Sequence, residues 1–391
     1  MPLRVLEITD TLGMGGAETW LMEVLRLWSK SGVAQMDFLL TSGNSGVFDD
    51  EARRLGANIH YLRYGRRSIP HFSSGFRRIL QDGNYQAIHD HQDCASGWHF
   101  FLGKSDLPPV RVTHVHNAAY QIRNNYGTSL ARRLTARIGM RLVARHSTHI
   151  AGTSWQAILE YGFDAPQFRK IPKGALHCGF APERFLGDSD AAKAALCQEL
   201  GWPRDARIIL VAGRVDQSPE RSHPQTNKNS AFAVSIGIEC ARQDDRVHVL
   251  FAGTLSPAVP VLQQRIAAAS FAERFRFVGI RKDINQLMIA SDALLFPSRG
   301  EGLGMVAVEA QAAGLPVLAS TAVPRECVVV PELVRFQSLE TVEAEWASVL
   351  LQHASQSRDI RKANQQVAAS TFAIDHSARA LFALYSKGLL A

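Results

Sequence analysis

The chain has 391 residues, 46% of them hydrophobic and 20% charged, which suits two domains better than one, since a single core rarely grows past roughly 250–300 residues. That balance excludes a disordered or fibrous protein, and no apolar run is long enough to span a bilayer. The net charge of +7 is uneven: residues 1–170 hold 20 Lys and Arg against 14 Asp and Glu, so the first half should meet anionic surfaces or phosphates.

In chain order, "MPLRVLEITD" reads as a first strand rather than a signal core. Further strands are expected at "MDFLLT", "IHYL", "QAIHDH", "VRVTHV", "HIAGTS" and "RKIPKG", then at "RIILVAG", "HVLFAG", "RFRFVG", "ALLFPS" and "LPVLAS". Helical stretches such as "AETWLMEVLRLWSKSG" and "INQLMIASD" separate many of them. This alternation predicts an α/β protein of two Rossmann-like, doubly wound domains facing a central cleft, with ligands at the carboxyl ends of the strands. The pattern restarts near Arg207, which sets domains at 1–190 and 200–371, with a C-terminal helix at about 372–391 packing back on the first. Five scattered cysteines without a CxxC spacing fit a reduced cytoplasm.

Five segments carry candidate chemistry. In "ITDTLGMGGAETW", Gly15 and Gly16 allow close backbone approach before a helix starting about Ala17, whose N-terminus favours an anion or polar ligand; a tight βα turn is the plainer alternative. The loop is not GxGxxG, which disfavours a dinucleotide oxidoreductase. In "VRVTHVHNAAY", His114 and His116 point the same way from a strand end, where a histidine can hydrogen-bond a substrate hydroxyl. "HDHQD" repeats the pattern at His89 and His91, so a zinc site is conceivable without an obvious third ligand, and loop histidines with satisfied hydrogen bonds are the preferred reading.

In "VAGRVDQSPERSHPQTNKNSAFAV", Arg214 ends a strand and Lys228 precedes a helix starting around Asn229; two cations beside a helix N-terminus suit a diphosphate, though solvated surface cations are the common fate of such residues. In "RFVGIRKDINQLMIASD", the backbone of Gly279, Ile280 and Arg281 could read a base edge while Ile280 or Arg281 covers its face, and Asp283 resembles a helix cap. In "PSRGEGLGMVAVEAQAAGLPVLAS", Gly302 to Gly304 turn the chain into a helix beginning near Met305. Glu301 precedes that helix, and Glu309 lies within it, leaning back toward the glycine loop. Carboxylates accept well from vicinal hydroxyls, and the amides of Gly302, Leu303, Gly304 and Met305 between them can hold phosphate.

These segments resemble the GT4 family, the retaining GT-B glycosyltransferases. "EGLGMVAVEAQAAGLPVLAS" is similar to the family's E-x7-E region, "GMGGAE" to its N-terminal glycine loop, "RVTHVHN" to its histidine strand, "GR…KN" to its phosphate pair and "FVGIRKDI" to its nucleobase loop. "VPRECVVVPELVRFQSLETVEAEW" further resembles bacterial members that build exopolysaccharide or capsule. The resemblance implies transfer of a sugar, with a UDP-sugar as the expected donor, to a glycan or lipid-linked acceptor. Glu309 would bind ribose hydroxyls, Glu301 donor-sugar hydroxyls, Arg214 and Lys228 the diphosphate, and His116 the donor sugar near its reacting carbon. Gly15 and Gly16 would line the phosphate and acceptor side. No metal or cofactor is implied, and no nucleic-acid partner. A nucleotide-sugar epimerase and a binding protein without catalysis are the alternatives.

Two departures from the family pattern stand out: a polar insertion of roughly nine residues between Arg214 and Lys228, and Lys173 where asparagine is common. The insertion is open to readings as a lid, an acceptor loop or a displacement of Lys228. Residues 130–145, "LARRLTARIGMRLVAR", set Leu130, Leu134, Ile138 and Leu142 in one stripe ringed by arginines. The stripe either faces the core, the preferred reading, or docks peripherally on the anionic inner face of the cytoplasmic membrane.

Overall fold

Short runs of aliphatic residues form strands buried almost throughout, as parallel sheets covered by helices require. In β1 (Leu3–Thr9) the last five residues are all buried. The structure, a computed structural model, describes residues 2–118, 129–223 and 226–390. Ala119 and Tyr120 of the histidine segment, and Pro224 and Gln225 of the insertion, lie outside the described residues.

The first unit comprises Met1–Phe180 and Thr371–Ala391. Its strands are β1, β2 (Ala34–Leu40), β3 (Ile59–Tyr61), β4 (Ala87–Asp90), β5 (Val110–Val115), β6 (His149–Gly152) and β7 (Lys173–Ala175). They form a parallel sheet in the order β3-β2-β1-β4-β5-β6-β7. Leu6, Ile8, Phe72, Phe76, Ile88 and Phe100 build a core on one side of it.

The helix Ile374–Lys387 also belongs to this unit. Trp20 Nε1 donates to Ser377 Oγ at 2.7 Å, and the Trp28 and Tyr385 rings meet edge-on. The chain leaves and re-enters the unit at one point: Phe180 N donates to Phe372 O at 3.0 Å, and Ile374 N donates to Phe180 O at 2.8 Å. The crossover therefore falls at Phe180, and residues 181–190 go with the second unit.

The second unit, Ala181–Ser370, holds β8 (Arg207–Ala212), β9 (Val247–Ala252), β10 (Phe275–Phe277), β11 (Ala293–Phe296), β12 (Val317–Ser320) and β13 (Val334–Gln337). Their order is β10-β9-β8-β11-β12-β13, again parallel. Phe232, Phe251, Leu262, Leu295 and Trp346 anchor its core. β13 is absent from the sequence-based expectation. It is an edge strand in which Arg335, Phe336 and Gln337 remain partly exposed, so it lacks the apolar signature of the others. In each sheet the order reverses beside its first strand, between β1 and β4 and between β8 and β11, and such switch points open a crevice at the strand ends.

Candidate active site

At the switch point of the second unit, β8 runs into Gly213 and Arg214. Gly213 (φ 140°) and Gly253 (φ 148°) are both outside the range of side-chain-bearing residues, and a Cβ on Gly253 would lie 2.1 Å from Gly213 O. Glycine here lets the ends of β8 and β9 cross closely, and Gly253 N then donates to Gly279 O at 2.8 Å. Arg214 is exposed and makes no ion pair among the described residues.

Asp216, which the sequence did not single out, organises the approach to Lys228. One of its carboxylate oxygens accepts from Asn227 N and Lys228 N at 2.9 Å each, and the other accepts from Ser230 N at 2.8 Å and Ser230 Oγ at 3.2 Å. The entrance of the helix Ser230–Gln243 is therefore filled by a carboxylate of the protein itself, which corrects the expectation that this helix start is open to a diphosphate. Its separation of 11 to 14 positions from its partners left no local spacing signal.

The insertion does not displace Lys228. Arg221 stacks on Phe232 at 3.7 Å, Arg299 Nη1 donates to Arg221 O at 2.9 Å, and Arg265 Nη1 donates to Pro219 O at 2.9 Å. These contacts tie the described part of the loop to its own unit. Lys228 Nζ lies 2.7 Å from Glu301 Oε1 and 5.5 Å from the centre of the Phe296 ring. One depression is lined by Gly213, Arg214, Lys228, Phe296, Pro297 and Ser298. Beside it, the side-chain oxygens of Asn227, Asn229 and Ser298 are buried without a hydrogen-bond partner.

The glycine turn follows. Gly304 adopts φ 91°, and a Cβ there would press on Phe296 and Val323 at 3.0 Å, so only glycine starts the helix Met305–Ala312 at this place. No side chain caps that helix and no acidic residue sits in its first turn, so its amide end is electropositive. Glu301 is 9% exposed. Glu309 is partly buried and makes no side-chain hydrogen bond among the described residues. Burial pushes its carboxyl up to about 7, against the pull of Arg184.

The proposed base loop is divided. Gly279 is left-handed (φ 71°), and Ile280 is 57% exposed, as a ring-covering side chain must be. Arg281, by contrast, is held by Glu199 at 2.5 Å and Asp283 at 2.7 Å, so its guanidinium is already committed. Asp283 stands at the N-cap of Ile284–Ala290 without making a cap bond, because its carboxylate serves Arg281 instead. Lys173 Nζ donates to Phe168 O and Ile171 O, both at 3.0 Å, and so fixes the turn ahead of β7.

In the first unit, the helix Gly16–Ser31 starts at the glycine loop. Glu18 folds back on it: a Cβ on Gly15 would meet Glu18 Oε2 at 2.1 Å. Gly16 has open space around it. Burial raises the Glu18 carboxyl, partly offset by its own backbone amide. The helix start expected to attract an anion therefore already faces a carboxyl.

The histidines form one group. His89 lies in β4, not in a loop, and the side chains of His89 and His91 are 0% and 3% exposed. Adjacent β4 and β5 bring them to His114 and His116. Tyr385 Oη donates to Glu7 Oε1 at 2.8 Å, so its oxygen accepts from His89 Nδ1. His89 Nε2 then accepts from His114 Nδ1 at 3.1 Å, leaving buried His114 Nε2 without a partner. His91 Nε2 donates to Glu7 Oε2 at 2.8 Å, so His91 Nδ1 accepts from His116 Nε2 at 2.7 Å. His116 Nδ1 faces Cys178 Sγ at 4.0 Å. Burial holds His89, His114 and His116 well below the usual imidazole range, reinforced by neighbouring histidines. The signal was legible, an HxH repeated on consecutive βα units, but its meaning depended on strand order.

The stripe of the helix Leu130–His146 is not wholly core-facing. Leu130 and Leu134 are 81% and 55% exposed, and the buried residues are Gly139 and Val143. Among the described residues, no helix is long and apolar enough to cross a membrane.

Two parallel-sheet Rossmann-like units, with a glycine turn, a paired lysine and glutamate and an electropositive helix end in the second, define the GT-B class of sugar-transferring enzymes. Residues 207–342 match the family model described as glycosyl transferases group 1, and residues 15–174 match the glycosyl transferase 4-like domain. The chain belongs to the group 1 glycosyltransferases, the GT4 family, and is a glycosyltransferase. It is 27% identical over 365 residues to EpsF of Bacillus subtilis (strain 168), named as a glycosyltransferase, covering 92% of this chain and 90% of that one. It is 30% identical over 112 residues to the capsular polysaccharide biosynthesis glycosyltransferase CapH of Staphylococcus aureus, covering 29% and 30% of the two chains. Among solved structures, Anabaena HepE in complex with UDP superposes with a TM-score of 0.76 at 19% identity, covering 100% of both chains.

Proposed function

We propose that the protein transfers a sugar from a nucleotide sugar, most simply a UDP-sugar, to a glycan or lipid-linked acceptor in bacterial surface polysaccharide synthesis, with retention of anomeric configuration. The observation that carries this reading is the 2.7 Å Lys228–Glu301 pair beside exposed Arg214, at the carboxyl ends of the central strands of the second unit. HepE has been solved with UDP and with UDP-glucose, and CapH is named for capsular polysaccharide, which supports donor class and pathway type alike.

On this reading, Arg214, Lys228 and the amides of Gly302, Leu303, Gly304 and Met305 take the diphosphate. Their fixed positive charge stabilises it as it departs, the electrostatic preorganisation that gives the largest catalytic effects. Glu301 accepts from donor-sugar hydroxyls and Glu309 from the ribose. Gly279 and Ile280 cover the base, with Arg281 as a braced support. Gly15 and Gly16 belong to the acceptor side, whereas His116, expected to address the donor sugar, has its ring nitrogens turned to His91 and Cys178 instead. Retention follows from front-face attack through an oxocarbenium-like state, with the leaving phosphate taking the acceptor proton.

The exposed Leu130 and Leu134 amid Arg132, Arg133 and Arg137 support a second element, peripheral contact with an anionic membrane surface, where a lipid-linked acceptor would be met. The main reading is tested with a panel of nucleotide sugars in thermal shift, followed by product analysis with and without acceptor. Donor-dependent stabilisation and acceptor-dependent product, with Arg214→Ala cutting transfer about 100–1,000-fold, are expected. Conversion of donor without acceptor would mark an epimerase, and binding without turnover across a broad acceptor panel a binding protein.

A further inference from the structure

Four imidazoles at the carboxyl ends of two neighbouring strands turn toward one another inside the first unit. Two have their outer nitrogens held from behind: His89 Nδ1 by the Tyr385 hydroxyl and His91 Nε2 by Glu7 at 2.8 Å. Their other nitrogens face inward, His89 Nε2 toward His114 Nδ1 at 3.1 Å and His91 Nδ1 toward His116 Nε2 at 2.7 Å. One ring nitrogen from each of His89, His91 and His114 lies within 4.8 Å of the other two. An imidazole with a carboxylate or hydroxyl behind it and a bare nitrogen in front is how a metal-bound histidine is oriented.

We propose that His89, His91 and His114 form a binding site for a divalent first-row transition ion of the zinc class, with His116 as an adjacent fourth donor and Glu7 and Tyr385 as the groups that orient the ligands. Nitrogen donors without an inward carboxylate select this class over magnesium or calcium. Ion binding moves the His114 proton from Nδ1 to Nε2, and Nδ1, which faces His89 Nε2 at 3.1 Å, becomes a ligand. If His116 also ligates, its proton moves from Nε2 to Nδ1, facing the Cys178 sulfur at 4.0 Å. Both shifts occur within a ring, so no proton is released. The ion would lock β4 to β5 and, through Tyr385, to the C-terminal helix. It belongs to the first unit and has no part in the diphosphate chemistry assigned to Arg214 and Lys228.

The test uses the full chain carrying no polyhistidine tag. After chelator stripping and dialysis against zinc alone, about one zinc ion per chain is expected by elemental analysis, with a rise in melting temperature. Cobalt(II) in its place should show the intense visible bands of a four-coordinate site. Glu7→Gln should weaken zinc affinity about 10–100-fold with the fold intact by circular dichroism, and His114→Gln should lose the ion. If His114→Gln fails to fold, the stripped wild-type chain still decides. No zinc uptake and no cobalt bands would overturn the proposal, as would full retention of the ion by a folded His114→Gln chain.

Discussion

Lys228 Nζ and Glu301 Oε1 stand 2.7 Å apart, so each of the two groups proposed to hold the donor occupies the other in the ligand-free protein. A diphosphate must draw the lysine away from the glutamate, and the freed carboxylate is then released toward the sugar. Glu301→Gln therefore separates two effects. UDP alone should bind about 2–5-fold more tightly, because a partly exposed pair worth ~0.5–1 kcal/mol no longer competes. Sugar transfer should fall at least ~100-fold. Calorimetry with UDP and chromatographic turnover check the two arms. Weaker UDP binding in this variant would contradict the exchange.

Glu309 makes stability depend on pH. Its folded carboxyl titrates at about 7, above the unfolded value of 4.5, because burial disfavours the charge. The folded state thus binds more protons between these values. The contribution is fully present below about 4.5 and is lost as pH rises through about 7. Discounted for partial exposure, it amounts to about 1–3 kcal/mol, a change of roughly 2–12 °C in melting temperature for a unit of this size. Calorimetric scans from pH 5 to pH 8 should show the wild type losing that increment and Glu309→Gln losing little of it. Equal slopes for the two proteins would remove the assignment.

Asp216 gathers three backbone amides and a hydroxyl around one buried carboxylate. Replacement by alanine leaves those donors unpaired and frees the segment that carries Lys228. Asp216→Ala should destabilise the second unit by about 2–4 kcal/mol in urea unfolding and raise the donor KM. A loss below about 0.5 kcal/mol would mean that the cap is idle.

For the membrane contact, Leu134→Glu combined with Arg133→Glu should abolish flotation with anionic vesicles and leave transfer to a soluble acceptor unaffected. Wild-type protein that fails to float on such vesicles at low salt ends the idea.

Both sheets were legible because their strands are buried runs punctuated by glycine turns, and Arg214, Lys228, Glu301 and Glu309 stood out by position at strand and helix ends. What escaped depends on distance along the chain. Arg281 looked available because Glu199, its anchor, is 82 positions away. Asp216 and the edge strand β13 carried no local pattern. His89 and His91 looked like separate loop residues until β4 and β5 became neighbours. Leu130 and Leu134 share the period of buried residues yet stay in solvent, since Gly139 and Val143 make the close approach. Periodicity reports a face, not what covers it.

The closing of the first unit by residues 371–391 also imposes an order of assembly. Glu7 and Tyr385 meet across 378 positions, so a growing chain emits the complete second unit before the helix that finishes the first. The N-terminal sheet must wait on the ribosome with the pocket for Tyr385 uncovered. A stop codon or a bulky fusion just after Ser370 would spare the later-made unit and cripple the earlier one.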